Sequence, residues 1–293
     1  MASVSPPSPV RIAVLDTGCD DDSLFFFDSD NSSRLRQWKD WTEESDEYQD
    51  YHGHGTYLTS LVMRLSPGAH IYVARVAKNP DELLDSSENV AKAISWASQE
   101  WKADIVLMSF GFKEEQPCIS RAIREVMYER DDSILLFAAA SNHGANEQEM
   151  FPARYESVIS IRGTNANGDF EDFNPPRNQN EEIVFGTLGL DVPSAGLSNH
   201  NEEVYKSGTS VAAAVAAGIA GLLLGYISNR SEKAAFPDLN KKLRTRQGMR
   251  AAFVGLASRT QKEHCLYLTP WRLMGKSEEA RWGILLAAVD DVY

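Results

Sequence analysis

Two spacings of apolar residues take turns along this chain. In one kind of segment nearly every position is apolar: Val10–Leu15, Ile71–Val76, Ile105–Phe110, Ile134–Ala140 and Val158–Arg162. A strand with one wet face would alternate apolar with polar side chains, so these near-continuous runs predict strands covered on both faces, as in a parallel sheet. A further strand is expected at Ile183–Thr187. In the other kind, apolar residues return every three or four positions. Ser87–Trp101 places Val90, Ile94, Ala97 and Trp101 on one helical face, and Ile119–Arg130 also reads as a helix. Strand and helix signals that alternate in this way predict an α/β fold built on parallel strands.

The longest uncharged segment, Val211–Ile227, is dominated by Ala and Gly. It falls short of the roughly 20 apolar residues that a bilayer crossing needs, so the expectation is a helix buried in the core. Turn-rich connectors are read at Asn165–Gly168 and Asp172–Asn180, and an acidic, aromatic-containing loop at Glu43–Asp50. We divide the chain into a main domain, residues 1–230, and a C-terminal extension, residues 231–293. The extension is expected to be helical through Leu243, Met249, Phe253 and Leu256 and to pack on the same domain. At 293 residues and 43% hydrophobic, the chain is large enough for one extensive core.

Charge narrows the partners. The 42 acidic residues against 29 basic ones leave a net charge of −13, which repels polyanions, so neither nucleic acid nor an anionic membrane is expected as a partner. The cysteines, Cys19, Cys118 and Cys265, are odd in number and widely spaced, which suggests neither a disulfide framework nor a zinc ribbon. Met1–Pro9 lacks the basic and apolar stretches of a secretory signal, and the expected compartment is the reducing cytoplasm.

Three short segments each hold one member of a catalytic set: Val-Leu-Asp16-Thr-Gly, Gly-His54-Gly-Thr and Ser-Gly-Thr-Ser210, the last at the head of the uncharged run. A serine hydroxyl is a weak nucleophile at neutral pH and needs an imidazole to take its proton. A carboxylate must then fix the imidazole tautomer and stabilise the imidazolium that forms. Unrelated folds build this set in different chain orders, and Asp, then His, then Ser is the subtilisin order. With a fourth segment, Ala-Ala-Ser-Asn142-His-Gly, the chain over residues 10–230 resembles the subtilisin-like serine proteases, family S8.

The resemblance implies a three-layer α/β fold, with a central, mostly parallel sheet flanked by helices, and a serine endopeptidase working through an acyl-enzyme. Carried over residue by residue, it makes Asp16, His54 and Ser210 the triad. The side-chain amide of Asn142 and the Ser210 backbone N–H become the oxyanion hole. Ser109, Phe110 and Gly111 match the segment that pairs with an extended peptide. With Ala139, Ala140 and Ser141 they are expected to line the primary specificity pocket, and Met150 aligns with its base, which makes it shallow. Asp46 and Asp50 are expected to rim the next subsites and favour basic residues there. The implied partner is a protein or peptide substrate, with no cofactor and no metal. General similarity extends to the protease domains of fungal NOD-like receptor proteins, implying a receptor-type regulatory domain and a gasdermin-like substrate that triggers cell death.

The chain departs from the family pattern at Tyr57, Ser141 and Ala214, which stand where histidine, glycine and proline are usual. Leu65–Ala69 is too short for the family's calcium loop. Other readings stand beside these. Asp-Thr-Gly also marks pepsin-type proteases, which need two such carboxylates, and only one is present. Gly-Thr-Ser also occurs in sedolisins, which use Glu where His54 stands. His52 and His54 have metal-ligand character without a companion cluster. Asp20–Asp22 reads as a solvated loop or a cation site, Cys19 as a buried or a redox-sensitive thiol, Asn142 as a turn residue and Phe110 as core. The alternative function is a catalytically silent subtilisin-fold binding or regulatory module.

Overall fold

The computed structural model describes residues 8–178, 183–199, 203–228, 237–260 and 264–290. The end of the Asp172–Asn180 connector and residues 231–236 of the extension lie outside the described residues. Strand β1 (Arg11–Asp16), third from one edge of the main sheet, has two faces that enter different cores: Ile12 and Val14 one, Ala13 and Leu15 the other. That double burial is why the segment reads as a continuous apolar run.

Around it lie β2 (Leu35–Asp40), β3 (His70–Arg75), β4 (Ile105–Met108), β5 (Leu135–Ala139), β6 (Val158–Thr164) and β7 (Val184–Leu188). A short antiparallel pair, β8 (Val192–Ser194) and β9 (Val204–Lys206), stands apart from the main sheet, which is completed by β10 (Ala257–Arg259) and β11 (Cys265–Leu268). The strand order is β10-β11-β7-β6-β5-β4-β1-β3-β2, and every pairing is parallel except β10 with β11.

The helices are α1 (Ser29–Arg34), α2 (His54–Leu65), α3 (Pro80–Leu83), α4 (Ser87–Gln99), α5 (Pro117–Glu129), α6 (Thr209–Ser228), α7 (Pro237–Leu243), α8 (Arg246–Leu256), α9 (Trp271–Met274) and α10 (Glu278–Asp290). One sheet face is covered by α2, α6 and α8, the other by α4 and α5, giving the three-layer α/β architecture that the sequence predicts. The apolar stripes of α4 (Val90, Ile94, Ala97) and α5 (Ile119, Ile123, Val126) are buried against that second face. By length and composition α6 could cross a membrane, but it packs against α2 and across β4 to β7. Its small side chains let it lie close to both.

Two features were not legible in the apolar pattern. Strand β2, Leu-Arg-Gln-Trp-Lys-Asp, lies at the sheet edge and needs little apolar surface. The extension, expected to be helical, also contributes β10 and β11, so it prolongs the same sheet. Its helix α8 inserts Phe253 between Phe137 of β5 and Phe185 of β7, with ring centroids 6.0 and 5.7 Å apart. Arg244 pairs with Asp104, whose other oxygen accepts the Arg11 N–H at 2.9 Å, binding the extension to the start of β1. Phe253 is fully buried. Phe253→Ala is therefore expected to destabilise the protein by about 3–5 kcal/mol, read from the urea midpoint. An unchanged midpoint would show that the extension is not part of the cooperative core.

Candidate active site

The connection leaving β1 runs past β3 to β2, whereas the one leaving the adjacent β3 runs back past β1 to β4, so connections from these two neighbouring strands diverge. In a parallel sheet such a point opens a crevice beyond the strand ends, and Asp16 is the last residue of β1. Helix α2 begins with His54 beside that crevice. The two backbones meet with almost no space between them: a Cβ on Gly55 would stand 2.1 Å from the Gly18 carbonyl oxygen. Only glycine permits this approach. Helix α6 then brings Ser210, its second residue, to the same place from the other side.

The three side chains form a chain of hydrogen bonds. Nδ1 of His54 is 2.7 Å from Oδ1 of Asp16, and Nε2 is 3.2 Å from Oγ of Ser210. A carboxylate only accepts, so the Nδ1 proton faces Asp16 and the Nε2 lone pair is left for the Ser210 hydroxyl. Asp16 Oδ1 also accepts the Thr17 N–H at 2.8 Å. Asp16 and Ser210 are buried, and about 20% of the His54 side chain reaches solvent. Burial is the largest influence on the imidazole and pushes its pKa down. The Asp16 charge and hydrogen bond oppose it, Lys206 adds to the lowering, Asp50 adds to the rise, and the net result is a pKa above 6.5.

Asn142 follows β5. Its Oδ1 accepts from the Thr209 N–H at 2.7 Å and from Thr209 Oγ1 at 3.0 Å, which orients the amide and leaves Nδ2 as the donor. The Ser210 N–H lies in the first turn of α6, where helix geometry provides no intrahelical partner and the dipole favours negative charge.

A cleft of about 660 Å³ opens from these atoms. Its lining includes Ser109, Phe110, Gly111, Ala139, Ser141 and Met150 and, as a wall from the segment after β3, Ala77, Asn79, Pro80, Leu83 and Leu84. A Cβ on Gly111 would stand 2.5 Å from that of Met150, so the methionine lies directly against the Gly111 backbone. Phe110 lines the cleft and also packs on the core beside α5.

Two sequence readings change here, and for Cys19 one of two alternatives is favoured. Ala140 is fully buried and outside the cleft lining; its carbonyl accepts the Met150 N–H at 2.9 Å. Extended backbone alternates its side chains, so Ala139 and Ser141 face the cleft and Ala140 faces away. Neither Asp46 nor Asp50 lines the cleft: Asp46 is exposed elsewhere, and the Asp50 carboxylate is buried beneath the start of α2. Cys19 is fully buried, and burial followed by Asp50, Asp21 and Asp20 pushes its thiol well above the usual range, which suits packing and not reactivity. The Ala77–Leu84 wall escaped the sequence reading, as did Thr17 and Thr56; only Pro80, a common first helical residue, hinted at a structured segment there.

Several proteins similar to this chain are serine proteases. The "Major intracellular serine protease" of Bacillus subtilis (strain 168) is 26% identical over 235 residues, which cover 74% of this chain and 69% of that protein. The "Subtilisin-like protease het-Q2" of Podospora anserina is 28% identical over 184 residues, covering 61% of this chain and 50% of that protein. The matches span 69%, 66% and 63% of the length of three bacterial relatives and 27% to 64% of others. Among solved structures, a mutant of the protease domain of PatA superposes with a TM-score of 0.73 at 19% identity, covering 98% of each chain, which shows a shared fold. The model of the subtilase family, peptidase S8, matches residues 8–262, and the chain belongs to that family.

Proposed function

We propose that the chain is an active serine endopeptidase whose triad is Asp16, His54 and Ser210. The observation that carries this reading is His54, held by Asp16 at 2.7 Å through Nδ1 and presenting Nε2 to Ser210 Oγ at 3.2 Å. Oγ attacks the scissile carbonyl carbon while its proton passes to Nε2. The negative oxygen is held by the Ser210 N–H and Asn142 Nδ2. Protonated His54 then gives the proton to the leaving amine, and an ester to Ser210 remains. Water, deprotonated by the same imidazole, releases the acid and restores the hydroxyl.

The open cleft favours this reading over a silent module, because an extended peptide can lie along Ser109–Gly111. A fluorophosphonate is expected to label Ser210 stoichiometrically and to leave Ser210→Ala unlabelled. That variant loses peptidase activity on the order of 10⁶-fold, the size known for subtilisin. The base acts only when neutral, so labelling should rise with pH through a midpoint above 6.5. A folded protein that stays unlabelled would point to a silent module or to a zymogen-like state instead.

Met150 sets the depth of the primary pocket in this proposal. Met150→Gly is expected to raise kcat/KM for peptides with Phe or Tyr before the cut bond, relative to Ala, by about 10-fold or more. An unchanged ranking in a peptide library would remove Met150 from the pocket base.

The narrower proposal is a cytoplasmic cell-death effector, controlled by a receptor-type domain, that cuts a gasdermin-like pore-forming protein. The similarity to the fungal relative supports it. Co-expression with such a substrate should give one Ser210-dependent cut; unrelated or absent cleavage would leave the enzyme without this role.

A further inference from the structure

Asp50 closes the acidic loop, and its carboxylate receives five hydrogen bonds. Oδ1 accepts from Thr17 Oγ1 at 3.0 Å, from the His52 N–H at 3.1 Å and from the Gly53 N–H at 2.8 Å. Oδ2 accepts from the Thr56 N–H at 2.8 Å and from Thr56 Oγ1 at 2.7 Å. The Thr17 hydroxyl extends the link by accepting the Gly55 N–H at 3.0 Å. Thr17 directly follows Asp16, and His54 lies between Gly53 and Gly55, so each end of the network is one residue from a member of the triad.

The donors at Gly55 and Thr56 belong to the first turn of α2, which lacks intrahelical acceptors, and a carboxylate there also suits the helix dipole. A capping role alone would not require the bond to Thr17 on the far side. Resting on the triad assignment above, we propose that Asp50 is a positioning residue for the reaction: its carboxylate clamps the start of α2 to the end of β1 and so fixes how His54 meets Asp16.

The charge of Asp50 reaches the imidazole as well. The titratable groups facing His54 are Asp16 from β1, His52 and Asp50 from the segment before α2, and Lys206 from β9. Asp50 stabilises the protonated imidazole and Lys206 opposes it. Removing the carboxylate charge therefore makes His54 easier to deprotonate.

Fluorophosphonate labelling and peptide hydrolysis across pH, on the full chain and Asp50→Asn, test the assignment. The amide removes the charge and turns one acceptor oxygen into a donor facing donors. The expected result is a fall of about 10- to 100-fold in labelling rate and kcat, with KM little changed and the acid limb moved to lower pH. If the parent is labelled at Ser210 and Asp50→Asn matches its rate and acid limb, the assignment is overturned while the triad stands. A lowered melting temperature with lost activity but an unmoved acid limb would also overturn it, leaving only a structural cap. Should Asp50→Asn not fold, Thr56→Val removes the Thr56 hydroxyl, which donates to Asp50 and accepts the Asp20 N–H, and keeps the charge. It is expected to slow labelling, with Thr56→Ser restoring most of the rate, and a parent-like Thr56→Val would overturn the proposal. A folded parent that is not labelled removes the triad and this inference together.

Discussion

The site depends first on how closely the backbone leaving β1 approaches the backbone entering α2. Asp16 and His54 are 38 positions apart in sequence, yet their hydrogen-bonded atoms stand 2.7 Å apart because Gly55 lets the start of α2 pack on the Gly18 backbone with no side chain between them. Any Cβ at Gly55 would drive the helix start away from the sheet. A displacement of even an ångström there matters, because proton transfer requires hydrogen-bond distance at both imidazole nitrogens at once.

Helix α6 serves both the core and the site with one element. Its small, apolar side chains are buried against α2 and the sheet, which holds the helix axis in place. Its first turn then presents Ser210, with an unpaired N–H beside it, at the crevice. The same helix start supplies Thr209, whose N–H and hydroxyl turn the Asn142 amide. Rigidity gained by burial at one end thus becomes preorganisation at the other, where developing charge is met by donors already in place.

The extension beyond residue 230 belongs to the same physical unit. Phe253 fills the space between Phe137 and Phe185, and β11 pairs in parallel with β7. Its anchor at Asp104 lies by the start of β1, at the opposite end of that strand from Asp16. The extension therefore supports the sheet that carries the site, and none of its described residues lines the cleft.

Periodicity along the chain was enough to read the parallel sheet and its main helices, because burial on both faces leaves an unbroken apolar run and one-sided burial leaves a helical stripe. Chain order and short motifs picked out Asp16, His54, Asn142 and Ser210, which the fold brings to one crevice. What the linear pattern could not reveal depends on which way a side chain faces. The carboxylate of Asp50, part of an acidic run that looks solvated, turns inward because the first turn of α2 and Thr17 offer it five donors. Ala140, flanked by two cleft residues, turns away because extended backbone alternates. The wall from Ala77 to Leu84 faces the cleft only because β3 ends beside β1. Residue type and spacing in the sequence by themselves determined the fold class and the reactive groups. The direction of each carboxylate and the shape of the cleft were decided only when distant segments met, because hydrogen-bond donors and excluded volume at those points come from other parts of the chain.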